Sequence, residues 1–358
     1  MIMNDRRQRA MALLAEHHLD AIIFCARENL RYLCGFTGSD GVLLLTPGYA
    51  LFLTDSRYTT QARMQVSADG VEEYRSQIDG VVSSLRSAGV RRIGFESSLA
   101  YGKVNDLRTR GDTAWDWSPL GDELETLRLI KSDKELAVIA AATRLNAEAF
   151  AAVEPLIRPG AVERDLALAL EYTLKCRGAE EKAFDFIVAS GPRGALPHGV
   201  ASDKRLEEGE LVTIDFGCRV DGYHADETVT LAVGSCSDTL RRLFEIVLAA
   251  HDQALAAVAP GLPMVELDRI AREHIAAAGY GEFFGHGLGH GVGLEVHEAP
   301  TVSARSKAVV QKGMVFTIEP GIYIPEVGGV RIEDMVVATD DGVRVLTLIP
   351  KHYRNVLS

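Results

Sequence analysis

The stretch that decides the fold is ELVTIDFGCRVDGYHADETVTLAVG, residues 210–234. Two runs rich in aliphatic and β-branched residues flank a polar centre, the pattern of an antiparallel hairpin. Its turn lies at Val220-Asp221 or at Asp221-Gly222. The first choice sets Asp215 opposite Asp226; the second sets it opposite Thr228. Side chains alternate along a strand, so positions 226 and 228 share a face, and either register brings both aspartates to one face. A carboxylate within an apolar strand is expensive to bury unless it is paired, protonated or bound to a cation.

Further along, MVFTIEP (314–320) and GVRIEDMVVAT (329–339) read as strands that carry Glu319 and Glu333. One buried acid is a local matter; four in strand-like runs of one region ask for a shared cation. Between them lies FGHGLGHGVGLEVHE, residues 284–298, with His286, His290 and His297 among five glycines. Glycine lets backbone approach closely, and histidine is the commonest metal ligand. His198, in LPHGV, is a fourth candidate. Four carboxylates with imidazole form an oxygen-rich set without thiolate, which fits manganese first, then cobalt or zinc. Four carboxylates around one divalent ion leave an excess negative charge, so two ions are expected.

Working back to the start of the chain, the first third alternates helical and strand patterns. AIIFCA (21–26) is a short strand, GVLLLTPGYALFLTD (41–55) a hairpin turned at Pro47-Gly48, DGVVSSLRSAG (79–89) a helix and RRIGFES (91–97) a strand. This is α/β patterning with a core of its own. A boundary falls at residues 120–130, giving units 1–125 and 126–358. Ser132 and Glu135 then form a capping box ahead of a helical run ending before Pro159-Gly160, and VERDLALALEYTLKCRG is a second helix stopped by Gly178. Strand-like runs follow, broken by helical patterns at 238–258 and 264–278. Both halves of the last 230 residues thus hold a helix pair followed by acidic strands, a faint internal echo.

The totals exclude several classes. The chain has 358 residues and a net charge of −12 with no basic block, which argues against nucleic-acid and anionic-membrane partners. Its five cysteines form no C-x-x-C pair, which fits reduced thiols and a cytoplasmic location. The N-terminus reads as an amphipathic helix, not a signal peptide, and no apolar run approaches the ~18 residues that span a bilayer. H-E-x-x-H, G-x-S-x-G and a GK[ST] phosphate loop are absent, and Cys218 reads as packing.

The run from Leu196 to Gly234, followed in order by FGHGLGHGVGLEVHE, GMVFTIEPGIYI (313–324) and GGVRIEDMVVAT (328–339), resembles the pita-bread metallopeptidases, nearest the X-Pro aminopeptidases and X-Pro dipeptidases. NLRYLCGFTGSDGVLLLTPGYALFLTDSRY (29–58) resembles the smaller N-terminal domain of that family, so the likeness covers the whole chain. It implies an α/β protein: a creatinase-type, ribonuclease H-like N-terminal domain and a pseudo-symmetric pita-bread α+β catalytic domain. It also implies five metal ligands at Asp215, Asp226, His290, Glu319 and Glu333, with Asp226 and Glu333 bridging two divalent ions. Glu319 would double as general base or proton shuttle. His198, His286 and His297 would bind substrate and steady the oxyanion, with Arg331 beside the site. The implied substrates are proline-containing peptides cut at the X-Pro bond, and the implied assembly is a homodimer.

One departure stands out. The family reads D-x-T-R-T after the second aspartate, and this chain has Val229 in place of the arginine. Strand alternation turns Val229 away from the face of Asp226 and Thr228. The ligand set is therefore expected to survive, with the departure bearing on rate and metal preference. Two readings compete: a non-catalytic pita-bread binding protein, and a metal-free hydrolase of non-peptide amides of the creatinase kind. Retention of all five ligand types speaks against both.

Overall fold

The computed structural model describes residues 2–357, with side chains from Asp5 onward. In the first part, α1 (Ile2–Glu16) precedes β1 (Ala21–Phe24), α2 (Arg27–Cys34), β2 (Val42–Thr46), β3 (Tyr49–Thr54), α3 (Thr59–Gln65) and β4 (Gly70–Glu73). Then come α4 (Gln77–Ser87), β5 (Arg92–Glu96), α5 (Tyr101–Arg110), β6 (Asp116–Leu120) and α6 (Asp122–Leu129). The strands form one mixed sheet in the order β4-β3-β2-β1-β5-β6. The expected hairpin is present, with Thr46 paired to Tyr49 across Pro47-Gly48. Ile23, Leu44, Leu85, Ile93 and their neighbours make this unit's own core, each such side chain contributing about 1.5–3 kcal/mol on burial. The chain divides into two units between Arg128 and Leu129.

The second unit opens with α7 (Asp133–Val153), whose N-terminus carries the Ser132/Glu135 capping box, and α8 (Glu163–Cys176). By length and composition α7 would be long enough and apolar enough to cross a membrane, although no such run was expected. Alanine supplies much of that apolarity. Ile139, Ala142, Asn146, Ala149, Phe150 and Val153 are buried at helical spacing, so α7 packs one face on the domain. Next come β7 (Glu181–Lys182), β8 (Ile187–Ser190), β9 (Glu210–Phe216), β10 (Cys218–Val220), β11 (Tyr223–His224) and β12 (Glu227–Val233). A second helix pair, α9 (Asp238–Ala257) and α10 (Met264–Ala277), precedes β13 (Gly289–Gly291), β14 (Glu298–Val302), β15 (Val315–Ile318), β16 (Gly321–Ile324), β17 (Gly328–Arg331), β18 (Asp334–Ala338) and β19 (Val343–Val345).

The internal echo is structural. In the first half β12-β9-β8 is an antiparallel sheet; in the second, β14-β13-β15-β18-β19 is its counterpart. The pairing Asp215↔Thr228 selects the second of the two hairpin registers. Asp221 and Gly222 make the turn, both with positive φ, 45° and 77°, as a two-residue turn of the primed type requires. In the other half Ile318 pairs with Asp334. Carried one residue further, that register sets Glu319 opposite Glu333.

Three of the four acids lie at strand ends, whereas the sequence reading placed all four within strands. Asp226 sits between β11 and β12, Glu319 just past β15, and Glu333 between β17 and β18. The run GVRIEDMVVAT is two strands because β17 pairs with β16 while β18 pairs with β15. The chain changes sheets at Ile332-Glu333, where Glu333 N donates to Thr228 O at 3.2 Å. A residue at such a crossing is released from strict alternation, and its side chain can converge with those of another sheet.

Candidate metal centre

Asp226, His290 and Glu333 offer ligand atoms that all lie within 4.8 Å of one another. Glu319 Oε1 is 3.3 Å from His290 Nε2, and Asp226 Oδ2 is 3.6 Å from the same nitrogen. Asp215 is reached through Arg331, whose Nη2 donates to Oδ2 at 2.7 Å. All five line one cavity of about 460 Å³, together with His198, His286, His297, Tyr323 and Arg331. His198 and His297 are exposed and the five acid and imidazole groups are buried or half-buried, so the two histidines stand towards solvent.

Local sequence explains the convergence. Gly289 and Gly291 flank His290 because a Cβ at 289 would lie 2.1 Å from Thr317 O and one at 291 would lie 2.2 Å from Ala299 O. Only glycine permits that sandwiching of β13. His290 Nδ1 faces Gly291 O at 3.1 Å. A carbonyl can only accept, so Nδ1 carries a proton and Nε2 is the atom turned to the acids. His198 is held through Glu163, which is fully buried. Glu163 accepts from Ser190 N and Oγ at 2.8 and 2.9 Å and from Ser202 N and Oγ at 3.1 and 2.7 Å. Both ends of the segment that carries His198 are thereby pinned. Glu298, next to His297, is fixed by Lys131 at 2.7 Å in a buried ion pair.

Burial first, and then the charge of Asp215, pushes the Asp226 carboxyl well above its ordinary value. Burial, then Asp226 and Glu319, does the same to Glu333. Asp215 is also raised by burial, in spite of Arg331. Burial opposes the charge of Glu319 too, yet the hydrogen bond and charge of His290 hold it down at about 2. His290 is correspondingly raised to about 9, burial being outweighed by Glu319 and Asp226. Without a metal the pocket therefore keeps an imidazolium–carboxylate pair beside carboxyls that resist ionisation. Asp215 Oδ1 is buried with no hydrogen-bond partner. An orphaned carboxylate oxygen beside acids that repel one another fits a divalent cation.

The sequence reading did not single out Tyr323. Its hydroxyl receives Arg331 Nη1 at 2.9 Å and lies 2.9 Å from His286 Nε2. His286 Nδ1 faces Gly287 O at 2.8 Å, so Nε2 is the acceptor of the Tyr323 proton. Burial lowers the His286 pKa and keeps the ring neutral. Thr228 is the other missed residue. It donates to Glu333 Oε2 at 2.7 Å and receives Arg331 Nε at 3.2 Å. The only signal for either was place: Thr228 shares the face of the aspartates, and Tyr323 follows the Glu319 strand. Val229 is buried opposite Ile214, and the five expected residues surround one cavity without an arginine there.

Residues 137–340 match metallopeptidase family M24, and residues 6–130 match the creatinase/prolidase N-terminal domain. The chain belongs to family M24. As an M24 metallopeptidase it joins the creatinase-type N-terminal domain to the pita-bread catalytic domain that the resemblance implied. It is 41% identical to an Xaa-Pro dipeptidase of Pyrococcus horikoshii over 97% of each chain. The structure superposes on an Xaa-Pro dipeptidase from Bacillus anthracis with a TM-score of 0.95 at 40% identity, covering 98% of this chain and 99% of that one. An X-Pro aminopeptidase from Thermotoga maritima gives a TM-score of 0.89 at 37% identity, covering 97% and 99%. M24 metallopeptidases work with divalent metals, and the acid–histidine cluster is where this chain would hold them.

Proposed function

We propose that this chain is a dinuclear metal-dependent peptidase that cleaves the bond between an N-terminal residue and a following proline. The observation that carries the reading is the convergence of Asp226, His290 and Glu333 within 4.8 Å, in the cavity that also takes in Asp215 and Glu319. Asp215, Asp226, His290, Glu319 and Glu333 would hold the ions; manganese is the proposed metal, with cobalt and zinc as alternatives. When bound, the ions supply an activated water and polarisation of the scissile carbonyl.

The chain's own residues would do the rest. Glu319 takes the proton of the attacking water and returns it to the leaving proline nitrogen. His297, exposed at the cavity mouth, offers an N–H towards the developing oxyanion, and neutral His286, bonded to Gly287 O and Tyr323, lines the substrate side of the cavity. Arg331 and Tyr323 hold Asp215 and His286 in place through the bonds described above. An X-Pro bond has no amide hydrogen to grip, so the ring must be read by shape. Phe184, Ile187, Pro197 and Val200 on the cavity wall offer the apolar surface for it.

An aminopeptidase acting on longer peptides is favoured by the wall itself. Among the described residues Arg331 is the one lysine or arginine lining the cavity, and it is already bonded to Asp215, Tyr323 and Pro197 O. A strict dipeptidase needs a cation for the substrate's free carboxylate. The second reading, an X-Pro dipeptidase, is favoured by the activities named for relatives at 40–41% identity. Kinetics on an X-Pro dipeptide and on a longer X-Pro peptide, with manganese, cobalt and zinc in turn, separate the two. Loss of cleavage in Asp226→Asn is expected; undiminished turnover there would defeat the proposal. The resemblance also carries a homodimer into the proposal, and the cysteine pattern a cytoplasmic location, to be tested by light scattering and by fractionation.

A further inference from the structure

Asp226 and Glu333 are each followed directly by another acid, Glu227 and Asp334. Glu227 is fully buried and Asp334 is 6% exposed, yet neither lines the cavity. Both turn instead towards Lys351, away from the cavity. There Lys351, from the segment after β19, meets them together. Its Nζ lies 2.7 Å from Glu227 Oε1 and 3.5 Å from Asp334 Oδ1. The surroundings lock the arrangement. Ile349 N donates to Glu227 Oε1 at 3.2 Å, Thr347 Oγ1 donates to Asp334 Oδ1 at 2.5 Å, and His251 Nε2 of α9 sits 3.2 Å from Asp334 Oδ2. Val229, on the same face as Glu227, adds no charge.

We propose that Lys351 is a positioning residue for the metal centre: its ammonium ties Glu227 to Asp334 and so sets the spacing between Asp226 and Glu333. The mechanism is geometric. Asp226 and Glu333 come from strands whose ends are joined on the cavity side by hydrogen bonds through Thr228. On the far side the cross-tie is Lys351. Each tied acid is one peptide unit from a proposed ligand, so a change in the tie moves both ligands together. The inference rests on the metallopeptidase reading.

The test is the affinity of the metal-free protein for Mn²⁺ alone, read by competition with a fluorescent chelator. Outer groups that orient metal ligands typically cost about 10–100-fold in affinity when removed, and Lys351→Met is expected to fall in that range. That variant also leaves Glu227 as a buried carboxylate without its cation, so it is paired with Lys351→Met/Glu227→Gln, in which neither charge remains. The double variant is expected to recover the thermal midpoint of the metal-free wild type while its Mn²⁺ affinity stays weakened. At saturating Mn²⁺, KM for an X-Pro peptide should stay within about twofold of wild type in both; general damage to the fold would raise it. Wild-type Mn²⁺ affinity in either folded variant, or a raised KM at saturating metal, overturns the positioning role. If wild-type protein bound no Mn²⁺, the proposed function would be what failed.

Discussion

Asp226 and Glu333 open into the cavity, where Asp226 Oδ2 lies 3.6 Å from His290 Nε2, while Glu227 and Asp334, one residue on in each case, meet Lys351 at 2.7 and 3.5 Å. The four acids belong to the same two chain segments and all are buried. They differ in what the fold brings to them. Asp334 is held below its ordinary value, burial being outweighed by His251 and Lys351, whereas at fully buried Glu227 burial outweighs Lys351 and the carboxyl is raised. Asp226 and Glu333 are pushed well above theirs. Glu227 and Asp334 meet a lysine that the chain itself supplies; Asp226 and Glu333 crowd other acids in the cavity, where a divalent cation would balance their charge.

The sharpest way to break this comparison is to neutralise one acid on each side. Asp226→Asn is expected to lower kcat/KM for an X-Pro peptide by at least about four orders of magnitude, about 5.5 kcal/mol. The same change should leave the metal-free protein as stable as wild type or more so, because it removes a buried carboxyl whose ionisation burial and the charge of Asp215 oppose. Paired kinetics and metal-free thermal melts read both. On the far side Lys351→Ala should destabilise the metal-free protein by about 3–5 kcal/mol, the cost of breaking a buried pair by removing one partner, measured by urea unfolding. A loss below about 1 kcal/mol would mean that the two faces are not treated differently.

pH sharpens the same contrast. Asp226 and Glu333 have folded values above their unfolded ones. The stability they give the metal-free protein is full below about 4 and is lost as pH rises through the folded values. His290, raised to about 9, contributes stability that is full below its unfolded value of about 6.5 and is lost as pH rises through 9. Glu319, lowered to about 2, contributes above its unfolded value of about 4.3 and loses that contribution as pH falls towards 2. A metal must displace the protons held by His290 and the raised acids. Apparent Mn²⁺ affinity should therefore climb by roughly tenfold or more per pH unit between 6 and 8 and level off above 9, as calorimetry across that range would show. Glu333→Gln should flatten the slope, and Glu227→Gln should not.

Smaller effects mark the edges of the site. Tyr323→Phe removes the hydroxyl that bonds both Arg331 and His286 and is expected to cost about 5–15-fold in kcat/KM, equivalent to about 1–1.5 kcal/mol of net hydrogen bonding. Arg269→Ala removes exposed pairs with Glu266 and Glu273 on α10 and should leave both the urea midpoint and kcat/KM unchanged. A loss there would show that surface pairs carry weight that the buried network does not.

Much of the site was legible because its constraints are local. The Ser132/Glu135 box, the Pro47-Gly48 turn and the glycine–histidine alternation at 285–291 each announce their geometry within a few residues. The hairpin at 210–234 could be narrowed to two registers, and positive φ at Asp221 and Gly222 fits the turn that chose between them. The strand assignments of Asp226, Glu319 and Glu333 were too simple, because a run of apolar residues cannot say where the chain leaves one sheet for another. Tyr323, Glu163 and Lys351 gave no sign of their partners. Lys351 lies 124 residues from Glu227, and Arg331 lies 116 from Asp215.

The sequence by itself determined the kinds of group available: four acids too costly to bury without a cation, histidines set among glycines, and alternating strands that sort side chains by face. Those follow from local backbone sterics and the price of desolvating charge. The tertiary structure alone decided which acid meets Lys351, which meets Arg331 and which are left facing the cavity. Electrostatic pairing depends on distances of a few ångströms between residues far apart in the chain, and those distances exist only once the two helix-and-sheet halves of the second unit have closed around one another.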